Sequence, residues 1–399
     1  MTPNPSDNVI LDGTSVGILR NEITDLFQVT TVETPRQAPQ GTIRFIGGLL
    51  MSDSEAAYEI IAERWRRHDY TPLFRRHQGQ VALVAQPGVF DTPKPRKPWI
   101  NLGLAIATII SVQLSGAVYA CQCFPTTTGQ WLSGTPMMLS MMVILLAHEF
   151  GHYFAARSHK VAVTLPYFIP LPVISPVGTL GAFIQLRSPF RTKRQLFDIG
   201  VAGPLGGLIF AIPLIFWGVA NSPVQPLTRN QLSVLEGNSI FYLAVKYLVH
   251  GEILPSFDQY AGLPVWAEYL RVLAGIIPAG GGIDILMTPV AFAAWFGLFV
   301  TAMNLLPVGQ LDGGHILYSL LGHNARWLGI VLVGLMIAAG IFWWPGWLLW
   351  ALLVFFIIGT GHPPPLNDLV ELGTGRKILA YVMIAFIIIF FMPNPLQQL

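Results

Sequence analysis

Residues 141–152 read Met141-Met-Val-Ile-Leu-Leu-Ala-His148-Glu149-Phe-Gly-His152, and the rest of the chain is read around them. On a helix, His148 and His152 lie four residues apart and project from one face, with their Cβ atoms about 6 Å apart. Two imidazole nitrogens can then bind one metal ion, with Glu149 beside a remaining coordination position. Seven apolar residues precede the first histidine. The motif therefore falls inside an apolar span, where a carboxylate costs about 2.5–3.5 kcal/mol and marks a functional site.

Composition agrees with a membrane setting. Of 399 residues, 53% are hydrophobic and 11% charged, and mean hydropathy is +0.55. An ordinary soluble domain carries about 25% charged residues. Residues 1–98 hold 11 Lys/Arg and 11 Asp/Glu, half of the 44 charges in the chain. The expectation is a soluble N-terminal domain over 1–98 and a membrane-embedded domain over 99–399 with its core at 137–320. A net charge of +2 excludes a strongly basic nucleic-acid binder. Cys121 and Cys123 cannot form a disulfide framework or a four-thiolate metal site, and read as inert.

No signal peptide is visible in the polar N-terminus. Residues 1–40 read as an arm with one short helix. A small α+β module follows: a strand at Arg44–Leu50, a helix from Ser52 or Asp53 to about Arg67, and strands at Tyr70–Arg76 and Gln80–Ala85. Pro87, Pro93, Pro95 and Pro98 form a stiff linker. From Pro98 to His148 there are 51 residues without Asp, Glu, Lys or Arg, room for two spans. Further uncharged runs at 199–228, 285–311, 327–367 (hinged at Trp343–Trp347) and 378–399 bring the expected count to about seven transmembrane helices. Val161–Leu186 is not a helix, because Pro166, Pro170, Pro172 and Pro176 would break it. It reads as hairpins or a membrane re-entrant β segment. Twelve basic residues against three across the alternating loops place the N-terminal domain in the cytosol.

The His-Glu-x-x-His spacing is the zinc metalloprotease pattern, and a catalytic zinc needs a third protein ligand. Asp312, in Leu311-Asp-Gly-Gly-His315, matches the depth of His148 and His152. Pro307 ends the preceding helix, and Gly313 and Gly314 permit close backbone approach. Asp284 falls on the opposite side, and Asp198, Asp368 and Glu371 fall among loop or interface residues. Asn304 lies two turns before Asp312 on an apolar span, where it either meets substrate or bridges helices. His315 either orients Asp312 or polarises a carbonyl, with a solvated loop histidine the expected case. Gly203 and Gly207 read as a packing pair. His159, His250, His323 and His362 show no metal spacing and read as interface residues.

His148–His152 in a span, Phe197-Asp-Ile-Gly-Val-Ala-Gly-Pro-Leu-Gly-Gly207, and Asn304, Pro307 and Leu311-Asp-Gly313 together resemble the site-2 protease family of intramembrane zinc metalloproteases (peptidase family M50). Gly178-Thr-Leu-Gly181 resembles that family's re-entrant segment. With no recognisable PDZ insertion, the chain is similar to the cyanobacterial and plastid branch that includes the ethylene-dependent gravitropism-deficient and yellow-green proteins. The resemblance implies one zinc ion per chain held by His148, His152 and Asp312, Glu149 as acid/base, and Gly178 and Gly181 in a substrate-binding segment. It also implies a transmembrane protein substrate, such as an anti-sigma factor or membrane-tethered regulator, cut within a plasma or thylakoid membrane. Iron, cobalt or manganese would suit the same ligands. An ion or metal transporter using these His and Asp residues is the alternative. It predicts inverted repeats, which the sequence does not display, and gives Glu149 no role.

Overall fold

The computed structural model describes residues 13–35, 38–90, 98–227, 234–260, 262–276 and 282–398. The expected proline linker falls mostly on 91–97, outside the described residues. The chain divides into two compact units. The first comprises Met1–Lys94 with Arg187–Leu196 and Pro363–Gly373; the second holds the remainder.

In the first unit, α1 (Gly13–Asn21) leads to β1 (Phe27–Glu33), β2 (Ile43–Leu49), α2 (Ser54–Arg66), β3 (Tyr70–His77) and β4 (Gln80–Pro87). The expected arm thus supplies a helix and an edge strand of an antiparallel sheet ordered β1-β2-β4-β3. Asp53 caps α2 by accepting from the Glu55 and Ala56 amides. Phe45, Ile61, Trp65, Phe74 and Leu83 are wholly buried between helix and sheet. The segments 187–196 and 363–373, which sequence reading assigns to the membrane portion, fold with this unit. Phe74 donates its amide to the Leu366 carbonyl and accepts from the Asp368 amide, at 2.8 and 3.2 Å, so the outer edge of β3 is covered. Buried Asn367 donates from its side chain to the Ser54 carbonyl at 2.9 Å. Glu55 and Glu59 pair with Arg194 and Arg191.

The second unit runs through α3 (Trp99–Cys121), α4 (Thr128–Leu132), α5 (Thr135–Ser158), the hairpin β5 (Tyr167–Pro170) and β6 (Thr179–Phe183), and α6 (Lys193–Ala220). It continues with β7 (Val224–Pro226), β8 (Val234–Glu236), α7 (Ile240–His250), β9 (Ser256–Phe257), α8 (Val265–Leu273) and β10 (Gly282–Ile285). The last elements are α9 (Pro289–Asn304), α10 (Asp312–Leu321), α11 (Ala325–Phe342), α12 (Gly346–Leu353), α13 (Thr374–Phe390) and β11 (Leu396–Gln398). Among the described residues, four helical stretches are long and apolar enough to cross a membrane: Trp99–Cys121, Thr128–Ser158, Lys193–Ala220 and Asp312–Phe342. This is a polytopic helical membrane protein. Helix α9 spans only 16 residues, most of them buried, and packs against α5, α13 and α3.

The hairpin interrupts this helical frame, and neighbouring side chains satisfy its backbone. On α3, Asn101 donates to the Leu165 and Pro166 carbonyls at 2.8 and 2.9 Å, and Ser111 donates to the Gly178 carbonyl. Cys121 and Cys123, read as inert, are joined by a disulfide. The chain also ends in a strand, because β11 leaves α13 and pairs antiparallel with β8.

Next to that pairing, Lys246 is fully buried, 2.9 Å from Asp284 and 3.7 Å from Glu236, and Tyr242 donates to Glu236 at 2.9 Å. One ammonium cannot neutralise two buried carboxylates. Burial therefore raises the Glu236 carboxyl from its ordinary 4.5 to about 7, with Lys246 opposing and Asp284 reinforcing the shift. A raised folded-state value stabilises the fold fully below pH 4.5 and loses that contribution as pH climbs to about 7.

Two outcomes are expected. The thermal midpoint of wild-type protein in detergent falls from about pH 5 to about pH 8 by more than that of Glu236→Gln, because the variant has no proton to lose. Asn367→Ala leaves buried groups unpaired and weakens the first unit by about 1–3 kcal/mol, read as faster amide hydrogen exchange at Phe74–His77.

Candidate metal centre

Helix α5 starts with Pro136 in its first turn and continues through a run that is apolar to Ala147 except for Ser140. Its helical period places His148, Glu149 and His152 on a buried face. The third group arrives from another element. After α9 ends at Asn304, the chain turns through Pro307 and restarts as α10, with Asp312 as the first helical residue, where a carboxylate suits the free N–H groups. The turn closes tightly: a Cβ on Gly313 would strike the Leu305 carbonyl, and one on Gly314 would lie 2.8 Å from the Val308 carbonyl oxygen.

The donor atoms meet closely. His148 Nε2 lies 3.2 Å from His152 Nε2 and 3.4 Å from Asp312 Oδ2, while His152 Nε2 lies 3.3 Å from Asp312 Oδ1. A tetrahedral metal with bonds of about 2.0–2.1 Å has donor–donor edges of about 3.3–3.4 Å, the scale on which the two imidazole nitrogens approach each other and each approaches one oxygen of the Asp312 carboxylate. The hydrogen bonding agrees. His152 Nδ1 donates to the Ile199 carbonyl at 2.7 Å, which leaves the lone pair on Nε2 facing the other donors. A metal ion bound between them would draw on all of these lone pairs at once. Among the described residues this is the one group of three or more His, Cys, Asp or Glu so arranged.

Glycines on α5 and α6 make the arrangement possible. A Cβ on Gly203 would collide with the His152 ring, one on Gly151 with the Ala202 carbonyl, and one on Gly206 with the Ala147 carbonyl. Gly203, read as a packing residue, therefore also gives His152 its place. Beyond the ring, Asp198 accepts two hydrogen bonds of 2.7 Å from Arg376 on α13 and lies 2.9 Å from His159 Nε2 at the end of α5. Asp198 is thus not a loop residue. It ties three helices together one position before the carbonyl that orients His152.

A cavity of about 190 Å³ opens on the donors. Glu149 lies on its wall with Oε2 buried and bonded to no protein group. Asn304, Gln310 and His315 line it, together with Ala182–Ile184 and Leu186 from the end of the hairpin. Gly178 and Gly181 do not. Gly178 has φ +76° and packs where a Cβ would strike the Ser111 carbonyl of α3, and Gly181 has φ +104° one residue before the lining stretch. His315 is not a solvated loop residue: it is on α10, partly buried, with Nδ1 2.6 Å from Nε2 of His362. Sequence reading missed that pairing, Gln310 and the Ile199 carbonyl. A histidine pair 47 residues apart and a main-chain acceptor leave no local pattern.

Fold and site define a polytopic helical membrane protein with a buried centre of two imidazoles and one carboxylate. Residues 136–331 match the family model described as peptidase family M50. The chain is 30% identical over 262 residues to the probable zinc metalloprotease EGY1, chloroplastic, of Oryza sativa subsp. japonica, covering 65% of this chain and 41% of that protein. The Arabidopsis thaliana protein of the same name gives 30%, with 65% and 42% covered. The probable zinc metallopeptidase EGY3, chloroplastic, of Arabidopsis thaliana is 24% identical over 314 residues, covering 76% and 51%. The matched region thus spans about half or less of each of these relatives.

Gly203→Ala is expected to weaken metal binding about 10–100-fold by displacing the His152 ring, measured by competition with a chelator. Gly207→Ala, whose Cβ would lie 3.4 Å from the His148 ring, is expected to have the smaller effect.

Proposed function

We propose that this chain is an intramembrane zinc metalloprotease that hydrolyses peptide bonds in or near transmembrane segments of other membrane proteins. The observation that carries this reading is Glu149: a buried carboxylate with one oxygen bonded to no protein group, beside three converging donors. His148, His152 and Asp312 hold one zinc ion. Zinc, when bound there, supplies Lewis-acid activation of water and of the scissile carbonyl. Glu149 takes the proton of the attacking water and returns it to the leaving amide nitrogen, so that hydrolysis balances as one water consumed and two chain ends released. The Ile199 carbonyl fixes the His152 tautomer, keeping its Nε2 lone pair turned inward throughout. The relatives' names, which specify zinc metalloproteases, support the choice of metal and reaction. A transporter reading leaves Glu149 without a task.

Asn304 contributes a side-chain amide to the cavity wall, suited to holding a substrate carbonyl. Gly178 seats the hairpin on α3, and Gly181 lets the strand run on to the lining residues Ala182–Ile184 and Leu186, which offer an edge for an unwound substrate segment. In this reading the hairpin is re-entrant. The seven spans are α3, α5, α6, α9, α11, α12 and α13, and the N-terminal unit lies in the cytosol, on the side favoured by the basic loops. The substrate class is a single-span protein such as an anti-sigma factor or a membrane-tethered regulator, in a plasma or thylakoid membrane.

Glu149→Gln is expected to retain about one zinc per chain while cleavage of a tagged transmembrane substrate in detergent falls at least about 100-fold. Undiminished cleavage by this variant would overturn the mechanism.

A further inference from the structure

Helix α8 carries three different faces on nine residues. Tyr269, Val272 and Leu273, at helical spacing, pack against Leu243, Phe257 and Tyr260. Ala267, Glu268 and Arg271 form a second side, with the Arg271 guanidinium 5.3 Å above the Tyr260 ring. Trp266 and Leu270, four residues apart, form a third. They are 68% and 54% exposed, and no protein group covers them among the described residues. A helix resting on a core in water needs two faces, packed and polar. A third, apolar and uncovered, calls for another solvent.

The position of α8 says which solvent. Trp343 directly follows the candidate span Asp312–Phe342 and donates its indole N–H to the Ala274 carbonyl, next to the last residue of α8, at 2.8 Å. The end of α8 therefore lies at the level where that span leaves the bilayer. At the same level Phe342 and Trp343 are 85% and 53% exposed, as aromatic side chains are at a membrane–water boundary. The apolar face of α8 thus continues a surface already facing lipid.

We infer that α8 is an interfacial anchor lying along the membrane surface, with Trp266 and Leu270 immersed at the headgroup–acyl boundary and Glu268 and Arg271 turned to water. Its one acid and one base carry no net charge, so attachment comes from buried apolar area and does not require anionic lipid. The inference rests on the membrane reading of the fold and is independent of the proposed proteolysis.

Nitroxide labels at cysteines introduced singly at 266, 267, 270 and 271 of the full chain, in phosphatidylcholine bilayers, test it. Cys121 and Cys123 are bonded to each other, so each introduced thiol is unique. Labels at 266 and 270 are expected to relax several-fold more with oxygen than with water-soluble chromium oxalate, and labels at 267 and 271 the reverse. Preference for chromium oxalate at 266 and 270 would overturn the inference, as would protection from both reagents, which would mean a covering protein or second copy. Where a cysteine variant fails to fold, quenching by brominated lipid decides. Trp266→Phe should remove a strongly quenched component of the wild-type fluorescence, and an unchanged quenching profile would contradict the anchor.

Discussion

The site depends on how closely α5 approaches α6. Where the helices cross, Gly151, Gly203 and Gly206 stand opposite main-chain carbonyls or the His152 ring, at separations that leave no room for a Cβ. Backbone contact of this kind is how helices associate in lipid, where burying apolar side chains yields little. Here it has a second consequence. The His152 imidazole fills the space over Gly203, and its Nδ1 meets the Ile199 carbonyl of α6. One crossing thus sets both the ring's position and which nitrogen bears the proton. The Asp198–Arg376–His159 contacts close the same region from the far side of α6.

The remaining polar structure is arranged so that little backbone goes unsatisfied. The hairpin is tolerable among apolar helices because Asn101 and Ser111 of α3 donate to its carbonyls. Glu149 departs from this rule, with a buried oxygen that no protein group engages. Thr108, Asn238 and Asn394 also hold a buried side-chain oxygen without a protein partner, but of these four it is Glu149 that stands on the cavity wall beside the three donors, and that placement points to chemistry.

Local spacing made much of this legible in advance. The two histidines and Glu149 share a face because four residues make about one helical turn. Depth matching from Pro307 and the following glycines led to Asp312, whose carboxylate lies 3.3–3.4 Å from both imidazoles. The prolines of 161–186 excluded a helix, and a hairpin stands there. What escaped depends on contacts distant in sequence. Nothing local in 363–373 announces that Leu366–Asp368 borders β3, because a main-chain pairing with a strand about 290 residues away leaves no pattern in the segment itself. The same holds for His362 against His315, and for the burial of α9, whose 16 residues look like any other apolar span until α5, α13 and α3 pack against it. Gly203 was legible as a small residue, but not as the seat of an imidazole.

Zinc K-edge X-ray absorption on the purified full-length protein would test the three-donor centre most directly. The account predicts about one zinc per chain, a nitrogen/oxygen shell at about 2.0–2.1 Å, the outer-shell scattering of two imidazoles, and no sulfur. Replacing Asp312 by Ala should perturb that shell while both imidazole signatures persist. A sulfur shell, a single imidazole, or a spectrum unchanged by Asp312→Ala would contradict it.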